Sequence, residues 1–336
     1  MLREWRAVPV IIGIGDAVPP GGAETHLLRG AGPAPLGYAS RLIHVLNTVH
    51  LDLLHLHGIW QYPSLAASRW AARTGRPYVI SPHGMLDPWI TARGQWKKRL
   101  ARDAWERRSW RRARAFHALT SAEADDVARE AGPVRVATIP NAAPAVATPP
   151  ASERPPMLLY LGRIHPKKNL TALVTGWTEA FPHLPPGARL VVAGWGVEAE
   201  VADLRKAMGS IPACRFIGPV DGVEKARLLA QARFLALPSL SEGLPIAVLE
   251  AWAHGTPTLM SQACHLPEGY GSGAAIDCGT DASNVAQAIR QGFALPASEW
   301  QAMSAAARQL AAGPFGRGTV ARSWERTYAE LLGLAA

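Results

Sequence analysis

Short apolar runs alternate with helix-compatible stretches along most of this 336-residue chain. Each run is too short for a helix and is rich in the Val, Ile and Leu of buried strands. Strands that are regularly separated by helices pair in parallel, because a parallel crossover needs about a dozen residues or more. The alternation therefore predicts an α/β chain built on parallel sheets. The predicted strands are VPVIIGI, LDLLHLH, PYVIS, AFHAL and RVATIP in the first half and MLLYLG, RLVVAG, CRFIG, RFLALP and PTLMS in the second.

A proline-rich stretch interrupts this alternation near the middle of the chain. Residues 140–156, PNAAPAVATPPASERPP, contain six prolines and show neither strand nor helix periodicity, which is typical of an exposed interdomain linker. We predict one domain over residues 1–145, a second over 146–314, and a C-terminal helix over 315–336 that packs back toward the first domain. Both domains would be doubly wound parallel sheets of Rossmann type that face each other across a cleft and bind ligands at the strand carboxyl ends.

The cysteines and histidines argue against a metal site or a disulfide framework. Cys214, Cys264 and Cys278 are odd in number and widely spaced, with no C-x-x-C pair. His55 and His57 point to one face of a predicted strand, but two ligands do not make a metal site. No run of about 18 apolar residues occurs, so we expect no membrane-spanning helix. These features favour a cytoplasmic protein without a metal cofactor.

Two carboxylates flank a predicted helix start in SEGLPIAVLEAWAHG, residues 241–255. Pro245 suits the first turn of a helix, whose free amides and dipole form an anion site of the kind that holds phosphates. Glu242 would lie in the preceding loop and Glu250 within the helix. This arrangement suits a ligand whose hydroxyl-rich ends flank a diphosphate. Alternatively, Glu242 caps the helix and Glu250 is a solvated surface charge.

Two further segments bear on the same ligand. In YLGRIHPKKNL, Arg163 and Lys168 follow the opening strand of the second domain, where they could neutralise a departing diphosphate; an exposed basic loop is the alternative. In SPHGMLDPW, His83 follows a strand of the first domain. A lone histidine is more often a packing or hydrogen-bonded residue than a catalytic one.

Taken together, these segments resemble the retaining glycosyltransferases of GT-B fold, family 4, also called glycosyl transferases group 1. Glu242 and Glu250 match the family's E-x7-E motif, and the likeness extends from about Gly37 onward through HGIWQYPSLAA, SPHGMLDPW, GPVDGVEKARLLAQA and VARSWERTYAELL. The resemblance implies two Rossmann-like domains and transfer of a sugar from a nucleotide-diphosphate-sugar to a glycan or lipid-linked glycan, as in the synthesis of lipopolysaccharide or exported polysaccharide. It also implies retention at the anomeric carbon and no requirement for a metal.

The resemblance further implies roles for individual residues. Arg163 and Lys168 would bind the donor diphosphate, Glu250 the ribose hydroxyls and Glu242 the hydroxyls of the donor sugar, and His83 would lie near the scissile bond. The remaining donor-binding groups would be the amides of Gly243 and Leu244, with Gly21 and Gly22 of a glycine-rich turn in PPGGAETHLL. No carboxylate obviously occupies a nucleophile's position, which favours same-face attack with the departing phosphate as base.

The first domain departs from the family pattern, because only about fifty residues precede LDLLHLHG. An abridged first domain could narrow the acceptor site or leave the protein inactive. Two alternatives follow: a sugar-nucleotide epimerase-like enzyme of GT-B fold, and a non-catalytic relative that binds nucleotide-sugar or membrane.

The positive charge is concentrated in one segment. The chain carries a formal charge of +9, and residues 93–114 contain ten basic residues against Asp103 and Glu106, a net of +8. Trp96, Trp105 and Trp110 are interleaved with these charges. The pattern is consistent with a surface that contacts an anionic membrane, or with a solvated helix pair whose tryptophans complete the core. Because no recognition motif accompanies the charge, we do not expect nucleic-acid binding.

Overall fold

The computed structural model describes residues 8–15, 23–146, 153–209 and 211–334. The chain forms two compact units: unit 1 comprises the chain up to Pro140 together with Val320 onward, and unit 2 comprises Asn141–Thr319. The domain boundaries expected from the sequence, after residues 145 and 314, lie within a few residues of these divisions.

Unit 1 contains a four-stranded parallel sheet in the order β3-β4-β5-β6 and a separate parallel pair, β1-β2. The strands are β1 Val10–Ile14, β2 Glu24–Leu28, β3 Leu54–His57, β4 Tyr78–Ser81, β5 Ala115–Ala118 and β6 Val136–Thr138. The helices are α1 Leu42–Thr48, α2 Tyr62–Thr74, α3 Pro88–Thr91, α4 Gln95–Ala101, α5 Arg107–Arg112 and α6 Ser121–Ala131, and α14 Arg317–Leu332 contributes its residues from Val320 onward.

Large apolar side chains from these elements form the core of unit 1. Trp70 of α2, Tyr78 and Ile80 of β4, and Phe116 of β5 are almost fully buried. Burying a side chain of this size contributes about 1.5–3 kcal/mol relative to leaving it exposed. Leu331 of α14 packs in a smaller cluster with residues of β4 and β5, which attaches the C-terminal helix to this sheet.

Unit 2 contains a six-stranded parallel sheet in the order β12-β11-β10-β7-β8-β9, which is the Rossmann order. The strands are β7 Met157–Leu161, β8 Arg189–Ala193, β9 Cys214–Gly218, β10 Phe234–Leu237, β11 Thr258–Met260 and β12 Ala275–Asp277. The helices are α7 Leu170–Ala180, α8 Glu198–Met208, α9 Gly222–Gln231, α10 Ile246–Ala253, α11 Pro267–Gly271, α12 Ala282–Ala294 and α13 Ala297–Ala312.

The central strands of unit 2 are buried along their whole length. Every residue of β7 and β10 is buried, as expected for parallel strands covered by helices on both faces. This explains why their sequences, MLLYL and FLAL, are continuously apolar rather than alternating.

The prediction that residues 140–156 form an exposed linker is wrong at two positions. Ala143 and Arg154 are only 2% and 7% exposed. The Arg154 guanidinium donates to the carbonyl oxygens of Ala232 and His254 at 2.8 and 2.6 Å and to the Thr256 hydroxyl at 2.5 Å. These acceptors compensate for the dehydration of the cation. Arg154 therefore anchors the proline-rich segment to unit 2.

The basic segment 93–114 folds as α4, one π-helical turn over Arg102–Glu106, and α5. Its tryptophans do not share one environment. Trp110 is 3% exposed and lies in the core of unit 1, whereas Trp96 is 69% exposed and Leu100, one turn further along, is 64% exposed. Over the described ranges, no helix combines the length and the apolar composition that crossing a bilayer requires.

Candidate functional site

The carboxyl ends of β7 and β10 form the centre of the candidate site in unit 2. These neighbouring strands are paired, and the chain proceeds from β7 to β8 on one side of the pair and from β10 to β11 on the other. The strand order therefore reverses between them, which is where ligands of doubly wound sheets bind. The loop after β7 carries Arg163 and Lys168, and the loop after β10 carries Glu242.

A buried ion pair joins the two loops. The Lys168 ammonium lies 2.5 Å from Oε1 of Glu242, and the two side chains are 15% and 6% exposed. The Ser239 hydroxyl donates to the same oxygen at 2.7 Å. A backbone hydrogen bond from Leu240 to the carbonyl of Lys167, at 2.7 Å, joins the loops a second time. Glu242 is therefore held in one position.

The start of α10 offers free backbone donors beside this ion pair. Pro245 is the N-cap residue, and no side chain caps the helix, so the alternative that Glu242 caps it is wrong. The amides of Gly243 and Leu244 make no hydrogen bond with the part of the chain that the structure describes. Free amides at a helix start attract anions, because the helix dipole adds to their partial charge.

Glu250 lies in the middle of α10 and is paired rather than solvated. Its Oε1 accepts a hydrogen bond from the Lys225 ammonium of α9 at 2.7 Å, and its side chain is 18% exposed. Both residues line a cavity of about 550 Å³ between α9, α10 and residues 144–146. Glu250 therefore faces a space within unit 2 that can hold part of a small molecule.

The Arg163 loop is shaped by close backbone contact with the loop after β8. The amide of Ile164 donates to the carbonyl of Trp195 at 2.6 Å, which extends the parallel pairing beyond the strands. A Cβ at Gly194 would lie 1.8 Å from the carbonyl oxygen of Gly162, so only glycine permits this approach. Arg163 itself is exposed, and its guanidinium contacts no acceptor within the described ranges.

Neighbouring titratable groups of unit 2 are kept neutral by burial. Burial, and secondarily the charge of Glu242, raises the pKa of the Cys264 thiol to about 12. The same two causes raise the pKa of the Tyr160 hydroxyl, which donates to the carbonyl of Arg163 at 2.7 Å. Neither group is a nucleophile near neutral pH, and Tyr160 instead supports the Arg163 turn.

In unit 1, His83 occupies the turn after β4. Its φ is +54°, an uncommon conformation for a residue other than glycine. The following amide, of Gly84, donates to the buried carboxylate of Glu123 at 2.6 Å, which fastens the turn. Nε2 of His83 lies 2.8 Å from Nδ1 of His57, at the end of β3. Loss of hydration lowers the pKa of His83 and lowers that of His57 to about 4.

The structure places most of the predicted site residues at strand carboxyl ends. It brings Lys168 and Glu242 into direct contact. Arg163 and Glu250 make no hydrogen bond to either of these two side chains within the described residues, and Glu250 instead pairs with Lys225. Gly21 and Gly22 lie outside the described residues. Sequence reasoning missed three side chains that contact predicted ones, Ser239, Lys225 and, as a partner of His83, His57. It also missed Glu123, which fastens the His83 turn through the amide of Gly84.

The described part of the chain offers no cluster of metal-binding side chains. Among residues 8–15, 23–146, 153–209 and 211–334, no three His, Cys, Asp or Glu side chains cluster in a way that could hold an ion. The positive groups of the unit 2 site are instead Arg163, Lys168 and the free amides before α10.

Comparison with known proteins identifies the family. Residues 155–294 match the family described as glycosyl transferases group 1, and residues 3–142 match the glycosyl transferase 4-like domain. The chain belongs to the group 1 glycosyltransferases. This glycosyltransferase is 28% identical to the glycogen synthase of Mycobacterium tuberculosis over 296 residues, covering 82% of the chain and 68% of that relative. It is 31% identical to the D-inositol 3-phosphate glycosyltransferase of Nocardioides sp. over 243 residues, covering 62% of the chain and about half of that relative, 52%.

A solved structure shows the same fold. The HepE protein of Anabaena, in complex with UDP and glucose, superimposes with a TM-score of 0.76 at 16% identity, covering 96% of this chain and 99% of that one. The resemblance to family 4 and the predicted GT-B fold class, with two Rossmann-like parallel-sheet domains, are thereby confirmed.

Proposed function

We propose that this glycosyltransferase moves a sugar, with retention, from a nucleotide-diphosphate-sugar to a glycan or lipid-linked glycan, as in assembly of a surface or exported polysaccharide. The observation that carries the proposal is the grouping at the β7–β10 switch point. There, an unpaired guanidinium, a buried Lys–Glu pair and two free amides follow adjacent strands. The Anabaena structure of the same fold holds UDP and glucose, which supports a nucleotide-sugar donor.

The donor would be bound by groups of complementary charge. We assign the diphosphate to Arg163, Lys168 and the amides of Gly243 and Leu244, because each offers N–H donors to phosphate oxygens. The Glu250 carboxylate, which faces the cavity, would accept hydrogen bonds from the ribose hydroxyls.

Glu242 is better placed to orient a sugar than to attack it. Its Oε1 already accepts hydrogen bonds from Lys168 and Ser239, which stabilises the carboxylate and lowers its nucleophilicity. The other oxygen remains for hydroxyls of the donor sugar. The Lys168 ammonium, shared between Glu242 and the diphosphate, would link the position of the sugar to that of its leaving group.

The chemistry then proceeds on one face of the sugar. The bond from the anomeric carbon to the diphosphate oxygen breaks, and the acceptor hydroxyl oxygen bonds to the same face of that carbon. The acceptor's proton moves to the departing phosphate oxygen, which becomes the base. Arg163, Lys168 and the helix start stabilise the charge that develops on the diphosphate, which is the role a metal ion has in other transferases.

Turnover of labelled nucleotide-sugars in EDTA tests this proposal. Glu242→Gln and Arg163→Ala should each lower turnover by roughly 10²-fold or more, since each removes a group that contacts the reacting part of the donor. Arg215→Ala, at an exposed arginine of β9, is the control and should be neutral. Proton NMR of the first product should show the anomeric configuration of the donor. An inverted product, a requirement for added metal, or epimerised donor without transfer would contradict the proposal.

We further propose that the protein works at an anionic membrane surface through residues 93–114, on the inner face of the cytoplasmic membrane. The exposed ridge formed by Trp96 and Leu100 is flanked by Arg93, Lys97 and Arg99, which are also exposed. Near anionic lipid, each basic residue contributes about 1 kcal/mol before screening, while the ridge enters the interface. This surface fits an enzyme whose acceptor is lipid-linked.

Sedimentation with vesicles tests the membrane surface. The protein should bind vesicles of phosphatidylglycerol and phosphatidylcholine, and the double variant Trp96→Ala/Leu100→Ala should lose binding. Trp195→Ala, at an exposed tryptophan of unit 2, should retain it. Equal binding to pure phosphatidylcholine, or full binding by the double variant, would exclude this surface.

A further inference from the structure

Three imidazoles form a column at the carboxyl ends of β3 and β4. His55 and His57 lie on the same face of β3, and their rings stack with centroids 4.3 Å apart and planes 19° apart. His57 in turn stacks on His83, with centroids 5.1 Å apart and planes within 8°. His55, at one end of the column, is half-buried, whereas His57 and His83 are exposed.

A series of hydrogen bonds fixes His55 at one end of the column, and the Ile139 carbonyl determines which group donates and which accepts at each step. The carbonyl of Ile139 only accepts, so His117 donates to it from Nε2 at 2.7 Å and accepts at Nδ1 from the Ser81 hydroxyl at 2.7 Å. Ser81 then accepts from Nε2 of His55 at 2.6 Å, which leaves Nδ1 of His55 to accept from the Tyr328 hydroxyl at 2.7 Å.

This order of donors and acceptors requires His117 and His55 to be neutral. Burial lowers the pKa of His117 to about 4, and burial together with the charge of His57 lowers that of His55 to about 2. Each therefore holds one tautomer near neutral pH. A half-buried ring that makes a hydrogen bond through each nitrogen is held in one orientation, so His55 gives His57 a fixed surface on which to stack.

The outer end of the column is held by its backbone. Glu123 accepts from the amide of Gly84 at 2.6 Å with one oxygen and from the amide of Leu119 at 2.8 Å with the other. Glu123, in the first turn of α6, thus holds the turn that carries His83 in place, although the φ of His83 is left-handed. Such a conformation persists only where the surroundings determine it, and it is common at functional sites.

We infer that His57 is a positioning residue for His83: through the hydrogen bond between its Nδ1 and Nε2 of His83, it sets the ring plane of that histidine and couples its tautomer to that of His57, because one of the two nitrogens must donate and the other accept. Nδ1 of His83, which has no hydrogen-bond partner in the part of the chain described, is then held at a fixed position toward a ligand. The ligand class, a sugar hydroxyl or phosphate oxygen at the scissile bond, rests on the proposed function. The positioning itself rests only on unit 1.

The test compares His57→Phe, which keeps a ring for stacking but removes the nitrogen, with His57→Asn, whose amide group reaches the position of Nδ1. The control is His44→Phe, at an exposed histidine of α1 whose side chain makes no hydrogen bond within the described ranges. All variants are made in the full chain. Melting temperature confirms that each is folded.

Long-range ¹H–¹⁵N NMR of the histidine rings reports the tautomer without any substrate. His83 should show one protonated and one unprotonated nitrogen in the wild type and in the His44 variant. In His57→Phe the two ¹⁵N shifts should change, because the tautomer of His83 is no longer coupled to that of His57, and His57→Asn should restore them. An unchanged His83 spectrum in His57→Phe overturns the inference, whatever the activity.

Kinetics then separate this inference from the proposed function. Loss of one hydrogen bond corresponds to roughly a 3- to 10-fold effect, so His57→Phe should lower kcat by that factor, and His57→Asn should recover it, with the donor KM unchanged. If His57→Phe alters the tautomer and His83→Ala leaves turnover intact, the positioning stands and the role of His83 in transfer fails. A fall in kcat that His57→Asn does not recover, with an unaltered tautomer, indicates a merely structural effect and contradicts the inference.

Discussion

Lys168→Met should destabilise unit 2 through the charge that it leaves behind. The substitution keeps the length of the side chain and removes the ammonium that lies 2.5 Å from Glu242. The carboxylate, only 6% exposed, then retains the Ser239 hydroxyl as its donor on Oε1. Removing one partner of a buried pair costs about 3–5 kcal/mol, and the remaining hydrogen bond places this case near 3 kcal/mol.

The double variant Lys168→Met/Glu242→Gln isolates the electrostatic part of that cost. With both charges gone, the amide can still accept from Ser239, so the loss should shrink to about 1–2 kcal/mol, in the range of ordinary hydrogen-bond and packing changes. The two substitutions should therefore be strongly non-additive, as expected for residues in contact.

Thermal unfolding of the full chain measures both variants. A unit of this size changes its melting temperature by about 2–4 °C per kcal/mol, so Lys168→Met should lower it by about 6–12 °C and the double variant by clearly less. Lys206→Met, at an exposed lysine of α8, is the matched control and should shift it little. A Lys168 variant as stable as the wild type, or additive effects in the double variant, would show that the ion pair does not stabilise unit 2.

Three further outcomes follow from the packing and the pKa values. Gly194→Ala should lower the melting temperature and weaken nucleotide binding, because its methyl would lie 1.8 Å from a carbonyl oxygen, whereas Gly271→Ala, with no atom within 4 Å, should do neither. The folded-state pKa of His117, about 4, lies below its ordinary 6.5, so the unfolded state binds more protons and stability falls as pH drops from about 6.5 to about 4. His117→Gln should remove this contribution, at most about 1.4 kcal/mol per pH unit for one histidine, and leave that of the other histidines whose pKa is lowered; parallel melting curves against pH for wild type and variant would contradict it. Trp110→Ala should cost about 3–5 kcal/mol in chemical denaturation, whereas Trp96→Ala should cost little, because only the former is buried.

The apolar runs of the sequence predicted the strands of both sheets well, because parallel strands buried on both faces must be continuously apolar. Two strands were missed for a physical reason. β2, with the sequence ETHLL, contains three polar residues and pairs only with β1, and β12 is three residues long at the sheet edge. Neither has the hydrophobic signature of a central strand.

The sequence indicates which candidate residues follow each strand, but not how their side chains pair. The sequence places Glu242 and Lys168 after strands that adjoin, yet they are 74 residues apart along the chain, and only the fold shows that they bind each other. The pairing of Lys225 with Glu250 could not be predicted from the sequence, because a lysine in an amphipathic helix is usually a solvated surface charge. The burial of Arg154 has no signal in the sequence: its proline-rich surroundings indicate exposure, whereas its acceptors come from two distant loops, one after α9 and one after α10.

Binding of nucleotides in the presence of EDTA is the most direct test of a donor site in unit 2. Thermal shifts with UDP, GDP, ADP and CMP, and with their sugar conjugates, need no knowledge of the acceptor. A ligand at 100 times its dissociation constant stabilises the protein by about 2.7 kcal/mol, which corresponds to several degrees. One diphosphate should stabilise the protein more than the others, and Arg163→Ala should abolish its effect while Arg215→Ala preserves it. A panel in which no nucleotide raises the melting temperature, or in which Arg163→Ala leaves the shift intact, would contradict the donor site at the β7–β10 switch point.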